Sequence, residues 1–230
     1  MASSALRVLR LGSSALSFHF SSLIAPLARH MPNSLLLGTR NRGKVKEITS
    51  ILGDSGRSFC SLQEFANVEC AEENGTTYSE NAIAKARFYA SATGLWALAD
   101  DSGLEVEALR GAPGVFSARY AGDNATDADR RALLLSELAK TDDKNRRARF
   151  VAAVAIAGAG GELLNVSEGI CAGTITFAPR GKGGFGYDPL FIPDGYNQTF
   201  AELPEDVKDR ISHRARALRN TKRFLLTCKF

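Results

Sequence analysis

From Ser34 to Ala157, short apolar runs alternate with segments of helical period, and this alternation restricts the chain to a layered α/β architecture. Ser34-Leu35-Leu36-Leu37-Gly38 has the length and character of a buried strand. It leads into a segment whose Val45, Ile48, Ile51 and Leu52 recur at helical spacing, with Gly53 as the stop. Thr77 with Glu80 three residues on is a capping-box pair, and the helix it opens runs through Ala82, Ile83, Ala86 and Ala90 to about Gly94. Leu95-Trp96-Ala97-Leu98-Ala99 is a second buried strand, ending in Asp100-Asp101. Thr126 to Lys140 is a third helix, with Asp127 and Asp129 in its first turn and Lys140 at its end, as the helix dipole favours. Phe150 to Ala157 is a strongly apolar strand, and 162–177 and 187–192 are further strand candidates. Pro204-Glu205 opens the last helical region, with Ala215, Leu218 and Leu225 as its inward stripe. Strands that alternate with helices early and cluster later predict a mixed β-sheet with flanking helices. No linker or repeat divides residues 33–230, which are expected to form one domain.

Residues 1–32 stand apart. The first 30 are rich in Ser, Leu and Ala and contain Arg7, Arg10 and Arg29 but no acid, the composition of an organelle transit peptide. Met31 immediately before the first strand offers a competing account, that translation starts there, and this account is preferred. The stretch from Leu11 to Ala28 is broken by serines, His19 and Pro26, so a membrane span is not expected. The whole chain of 230 residues carries 29 basic and 25 acidic residues; without the first 30 the balance is 26 to 25. The body is therefore nearly neutral, and a basic nucleic-acid-binding surface is not implied. Cys60, Cys70, Cys171 and Cys228 lack the close spacing of a zinc knuckle or redox pair, and the body holds a single histidine, His213. A multi-histidine metal centre is thereby excluded, and thiols of this kind suit a reducing, cytoplasmic compartment, with mitochondrion or plastid as the alternative if the leader is genuine.

Four segments carry chemistry. Gly38-Thr39-Arg40-Asn41-Arg42-Gly43-Lys44 joins a strand to a helix, where free N–H groups and the positive dipole end suit phosphate. It nearly spells a P-loop, but Val45 stands where a hydroxyl must ligate magnesium; an ordinary turn explains the segment equally well. Asp100-Asp101-Ser102-Gly103 places two carboxylates, facing different ways, at the end of a dry strand, a hard-oxygen set suited to Mg²⁺. Glu72-Glu73, ahead of Asn74-Gly75, supplies further carboxylates, and Lys85 lies on the following helix. In Gly181-Lys182-Gly183-Gly184-Phe185-Gly186-Tyr187-Asp188-Pro189 the glycines allow close approach and the aromatics offer a stacking face, although a hairpin with core aromatics has the same composition. Ser212-His213-Arg214 supplies donors that suit a 6-keto oxygen and disfavour a 6-amino group.

Together these segments resemble the noncanonical purine nucleoside triphosphate pyrophosphatases, the inosine triphosphatase or Ham1-like family, most closely its bacterial-type branch. The motifs are Thr39-x-Asn41-x-x-Lys44, Glu72-Glu73-Asn74-Gly75, Glu80-Asn81-Ala82-x-x-Lys85-Ala86, Ala99-Asp100-Asp101-Ser102-Gly103-Leu104, the Gly111 to Tyr120 segment, the Gly184 to Pro189 loop and Ser212-His213-Arg214. The resemblance covers Leu35 to Leu226. It implies an elongated α/β fold with two lobes around a nucleotide-binding cleft, a homodimer, and Mg²⁺-dependent hydrolysis of ITP, dITP or XTP to the monophosphate and pyrophosphate. It further implies that Thr39, Arg40, Asn41, Arg42, Gly43 and Lys44, with Lys85, hold the triphosphate. Glu72 or Glu73, with Asp101, would serve the metal, Asp101 would activate the attacking water, and Ser102 would bind substrate. Phe185, Gly186, Tyr187 and Asp188 would frame the purine, and Lys208, His213 and Arg214 would read it. Two rivals remain at this point: a P-loop ATPase or kinase built on Gly38 to Lys44, and a non-catalytic nucleotide- or RNA-binding module built on Phe185 and Tyr187.

Overall fold

The computed structural model describes residues 34–228, so the expectations for the N-terminal extension lie outside the described residues. Six strands form one sheet in the order β2-β1-β3-β4-β5-β6. Strand β1 (Ser34–Leu37) lies between and parallel to β2 (Ser58–Ser61) and β3 (Ala97–Val106). The long strands β3, β4 (Arg147–Ala157) and β5 (Leu163–Ile175) pair antiparallel, and the short β6 (Phe191–Pro193) closes that edge. Helices α1 (Arg42–Leu52), α2 (Tyr78–Thr93), α3 (Asp127–Lys140), α4 (Glu205–Ile211) and α5 (His213–Thr227) flank the sheet. The expected mixed α/β sheet is the fold.

Strand alternation sorts neighbouring residues onto opposite faces. Leu35, Leu37, Leu98 and Ile156 face α1 and α5, meeting Ile48, Leu52, Leu218 and Leu225. Leu36, Ala97, Ala99, Ala153 and Ala155 face α2, whose Ala82, Ala86 and Ala90 let helix and sheet approach closely. A third apolar cluster surrounds the far ends of β3 and β4, with Leu104, Val106 and Phe150 against Leu134 and Leu138 of α3, and with Phe191 and Phe200. The core is thus three apolar clusters, two on opposite faces of the sheet and one around the far ends of β3 and β4.

The capping predictions hold in detail. Thr77 and Glu80 close a reciprocal box at the start of α2, Gly94 ends it in the left-handed conformation, and Thr126 caps α3. Several boundaries differ. The strand expected to stop at Ala99 continues to Val106, so Asp100 and Asp101 lie mid-strand. They nevertheless project just past the carboxyl end of the shorter β1, whose Leu37 is level with Leu98. Beyond β1, the free edge of β3 is covered by the 112–119 segment: Leu104 N–H donates to Ser117 Oγ at 2.9 Å and Val106 N–H to the Ala112 carbonyl at 3.1 Å. A Cβ at Gly103 would stand 2.3 Å from the Gly114 carbonyl oxygen, so only glycine permits this contact. The 187–192 candidate is a 3-10 turn, Asp188–Leu190, followed by β6. The last helical region is two helices, broken at the extended Ser212.

Candidate active site

Alternation along β3 sends Asp100 and Asp101 to opposite faces of the sheet, so one strand serves two different charge networks. Asp100 turns towards α1 and α5. Lys44 Nζ lies 3.2 Å from its Oδ1, and Arg214 Nε donates to its Oδ2 at 3.0 Å. Ser102, two residues on, shares that face and accepts from Arg214 Nη2 at 2.7 Å. Glu47 then joins Arg214 Nη1 (2.5 Å) to Lys208 Nζ (2.7 Å), and Lys208 also donates to Asp188. The result is an alternating chain Lys44–Asp100–Arg214–Glu47–Lys208–Asp188, largely withdrawn from solvent. Burial opposes the charge on Asp100, but Lys44 and Arg214 outweigh it and hold the carboxyl well below its ordinary pKa. Arg214 is held above its ordinary value by Asp100 and Glu47 despite its own burial. Desolvation pulls the Lys44 ammonium down, with Asp100 in opposition.

Asp101 faces α2. Asn81 Nδ2 donates to its Oδ2 at 3.0 Å, and Lys85 Nζ stands 3.2 Å from its Oδ1 and 2.7 Å from Glu73 Oε1. Asn81 also accepts from Gly75 N–H at 2.8 Å, fixing the turn that carries Glu73. Arg119 Nη2 donates to the Glu73 carbonyl at 3.2 Å. Burial raises the Asp101 pKa; Lys85 and Lys44 pull against it without cancelling it, and Glu73 adds to the rise. Lys85 loses some proton affinity to burial but gains more from Asp101 and Glu73, so it stays an ammonium.

Both networks open onto one cavity of about 140 Å³, walled by Asn41, Lys44, Glu73, Asp101, Ser102, Phe185, Gly186, Tyr187, Asp188, Lys208, His213 and Arg214 among others. At about 30 Å³ per water that is room for roughly five waters, or for a planar group of comparable size. His213 is buried, stacked on Phe150 with ring centroids 4.6 Å apart, and its Nδ1 lacks a protein partner. Burial, then the Arg214 and Lys208 charges, hold it neutral. Phe185 separates this cavity from a second of about 310 Å³ bounded by Glu47, Gly184, Phe200 and Lys208. Its ring stands 4.9 Å from Lys208 Nζ, and Tyr187 Oη donates to the Ser117 carbonyl at 3.1 Å.

Gly43 lies directly beneath Phe185: a Cβ there would stand 2.5 Å from Cδ1 of the ring. The glycine is needed for this approach, not for an unusual backbone angle. If Phe185 meets a purine, as the resemblance implies, Gly43→Ala should displace the ring and raise KM about tenfold, a loss of about 1.4 kcal/mol. Thermal stability should hold or rise, since alanine favours the helix by about 1 kcal/mol. Steady-state kinetics beside a thermal melt check both halves.

Of the expected residues, Thr39, Arg40, Arg42, Gly43, Glu72 and Lys85 do not wall the 140 Å³ cavity, whereas Asn41 does. Asn41 caps α1, its Oδ1 accepting from Gly43 N–H (2.9 Å) and Lys44 N–H (3.2 Å), so those amides are already satisfied and not free as expected. Thr39 Oγ1 accepts from Asn41 N–H, and Arg40 donates to the Val68 carbonyl at 2.6 Å. Arg42 is exposed. Glu72 is exposed and bound to Asn74 at 2.7 Å, whereas Glu73 faces the cavity. Among the described residues no group of three or more His, Cys, Asp or Glu is arranged to hold a metal ion. Sequence reasoning missed Glu47 as the bridge between Arg214 and Lys208. Its one signal is its place three residues after Lys44 on the same helix face. Asn81 and Arg119 stood inside quoted motifs without a role.

Known proteins resemble this chain along most of its length. The sequence profile described as the Ham1 family matches residues 35–224. A dITP/XTP pyrophosphatase of Desulforamulus reducens is 48% identical over 83% of this chain and 94% of its own length. One from Desulfotalea psychrophila is 50% identical over 82% and 83%. Among solved structures, a HAM1 protein from Coxiella burnetii superposes with a TM-score of 0.76 at 44% identity, covering 84% of this chain and 98% of that one. The Staphylococcus aureus Ham1 protein gives 0.75 at 37% identity, covering 85% and 100%. With a matched profile spanning nearly all the described residues and relatives this similar along most of their length, the chain belongs to the Ham1 family.

Proposed function

We propose that this chain is a nucleoside triphosphate pyrophosphohydrolase that converts dITP, XTP and ITP to the monophosphate and pyrophosphate. The observation that carries the proposal is the cavity that Asp101, Glu73 and Lys44 line together with Phe185, His213 and Lys208. Triphosphate and purine need carboxylates, cations and an aromatic face in one cleft. The curated activity of relatives 48% identical, dITP/XTP pyrophosphatase, supports the same assignment.

In this scheme Lys44 and Lys85 meet the phosphates and stabilise the charge that builds on the departing pyrophosphate. Asp101 accepts the proton of the attacking water. Its raised pKa suits a base better than an ordinary carboxylate would, and Asn81 fixes one of its oxygens. Phe185 gives the purine a stacking face. Three of the five N–H donors of Arg214 are spent on Asp100, Glu47 and Ser102, which leaves two for a ligand. Neutral His213 offers a ring nitrogen with no protein partner.

Mg²⁺ fits the donor set. Glu73 and Asp101 converge on the Lys85 ammonium, and magnesium usually takes one or two carboxylates, completing its shell with water and substrate phosphate. When bound, the ion supplies charge neutralisation and a more acidic water. Homodimer assembly in the cytoplasm completes the proposal. All four cysteines are free thiols, which supports a reducing compartment, and among the described residues no helix is long and apolar enough to cross a membrane.

A nucleotide panel with Mg²⁺, detecting pyrophosphate separately from orthophosphate, tests the assignment. Pyrophosphate from ITP, dITP and XTP, little product from ATP, and loss of turnover in excess EDTA are expected. Orthophosphate from ATP would instead favour the ATPase rival. Undiminished turnover in EDTA would remove magnesium from the scheme.

A further inference from the structure

We infer that Asp127 and Arg131, on the first turns of α3, are positioning residues that clamp both backbone polar groups of Gly186 and thereby set where Phe185 stands in the cleft. The inference rests on the assignment of Phe185 to the purine. Asp127 Oδ2 accepts from Gly186 N–H at 2.7 Å, and Arg131 Nη1 donates to the Gly186 carbonyl at 2.7 Å. The two residues are four apart and share a helix face. Gly186 sits at φ +60°, with nothing near an added Cβ, so the left-handed backbone is what requires glycine here.

Asp127 is not needed to cap α3, because Thr126 and Asp129 already form the reciprocal box there. Its second oxygen binds Arg130 Nη2 at 2.6 Å, and Arg130 in turn donates to the Ala118 and Ala125 carbonyls at 2.8 and 2.7 Å. The clamp is thus anchored to the segment that covers β3. On the other side of Phe185, Asp188 Oδ2 accepts from Phe185 N–H at 2.9 Å. The preceding residues 181–184 are exposed. Phe185 is therefore suspended between two anchors: Asp188 with Lys208, and Asp127 with Arg131.

The test combines hydrogen exchange of the 183–188 segment with kinetics on Asp127→Ala and Asp127→Asn. In Asp127→Ala, exchange of the segment should quicken and KM for ITP should rise about tenfold, the scale of one lost charge-assisted hydrogen bond. Turnover number should stay within about twofold, and inhibition by inorganic triphosphate, which carries no base, should keep its Ki. Asp127→Asn retains an acceptor for the Gly186 N–H and should restore most of the KM. Unchanged exchange, or KM and the triphosphate Ki rising together, would overturn the clamp. Should Asp127→Ala not fold, Arg131→Met removes the other half and is judged by the same measurements. If the wild type fails to hydrolyse ITP, the nucleotide assignment falls, while the exchange data still decide whether the clamp exists.

Discussion

Asp101→Asn is expected to cut pyrophosphate release by about 10³-fold, the middle of the range for losing a general base, and to leave the protein as stable as the wild type or slightly more so. The amide has the carboxylate's shape but cannot take a proton from water. The pKa of Asp101 is raised in the fold, chiefly by burial, so its ionisation works against folding once pH exceeds the unfolded value. Removing that charge relieves the cost. Against this, Lys85 loses one partner at 3.2 Å but keeps Glu73 at 2.7 Å. Single-turnover pyrophosphate release and a thermal melt at neutral pH measure the two halves. Turnover within tenfold of wild type would sink the assigned role.

The sequence made some of this legible because the relevant forces are local. Capping boxes, apolar periodicity and the strand–turn–helix around Gly43 are short-range features, and they recur in the structure where expected. The end of β3 was not local. Asp100-Asp101-Ser102-Gly103 looks like a strand terminus because two adjacent acids do not normally enter a buried sheet. They do so here because Lys44, Arg214 and Lys85, from three different helices, neutralise them. The start of β4 was misjudged for a similar reason. Arg147 and Arg149 extend the strand because each finds an acid across the sheet, Asp194 at 2.7 Å and Glu105 at 2.7 Å. The edge strand β2, Ser58–Ser61, is short and half exposed, and so carries no pattern.

The site follows the same division. Residue types and motif positions singled out Asp101, Lys85, Phe185 and His213 as candidates, but not which neighbour faces inward. Glu73 rather than Glu72 meets Lys85 because Asn81 holds Gly75 from a helix turn away. Glu47 and Asp127 looked like ordinary helix residues, since their partners lie 167 and 59 residues distant in the chain. Such roles exist only after folding.

Asp100→Asn should have the opposite signature to its neighbour's substitution, a loss of about 3–5 kcal/mol of stability, the usual cost of breaking a buried ion network on one side. On a domain of this size that corresponds to roughly 10 °C in Tm. Among the described residues Asp100 is the one acid that touches both Lys44 and Arg214, and its side chain is inaccessible to solvent. The neutral amide leaves Lys44 buried without its partner and Arg214 dependent on Glu47 alone. The acid dependence follows from the same pairings. The folded-state pKa of Asp100 lies below its unfolded value of about 4, so its contribution is complete above that pH and fades as pH falls through the folded value. Glu47 is lowered too and adds in the same direction. Urea unfolding at pH 7 and near pH 3 should therefore show a steep acid loss for the wild type and a shallower one for Asp100→Asn, whose starting stability is already reduced. A variant within 1 kcal/mol of wild type at pH 7 would mean that the buried charges find other partners. Two adjacent aspartates, changed identically, are thus expected to fail in different ways, because alternation along one strand delivers one to the buried ion network and the other to the cavity that the proposed reaction would use.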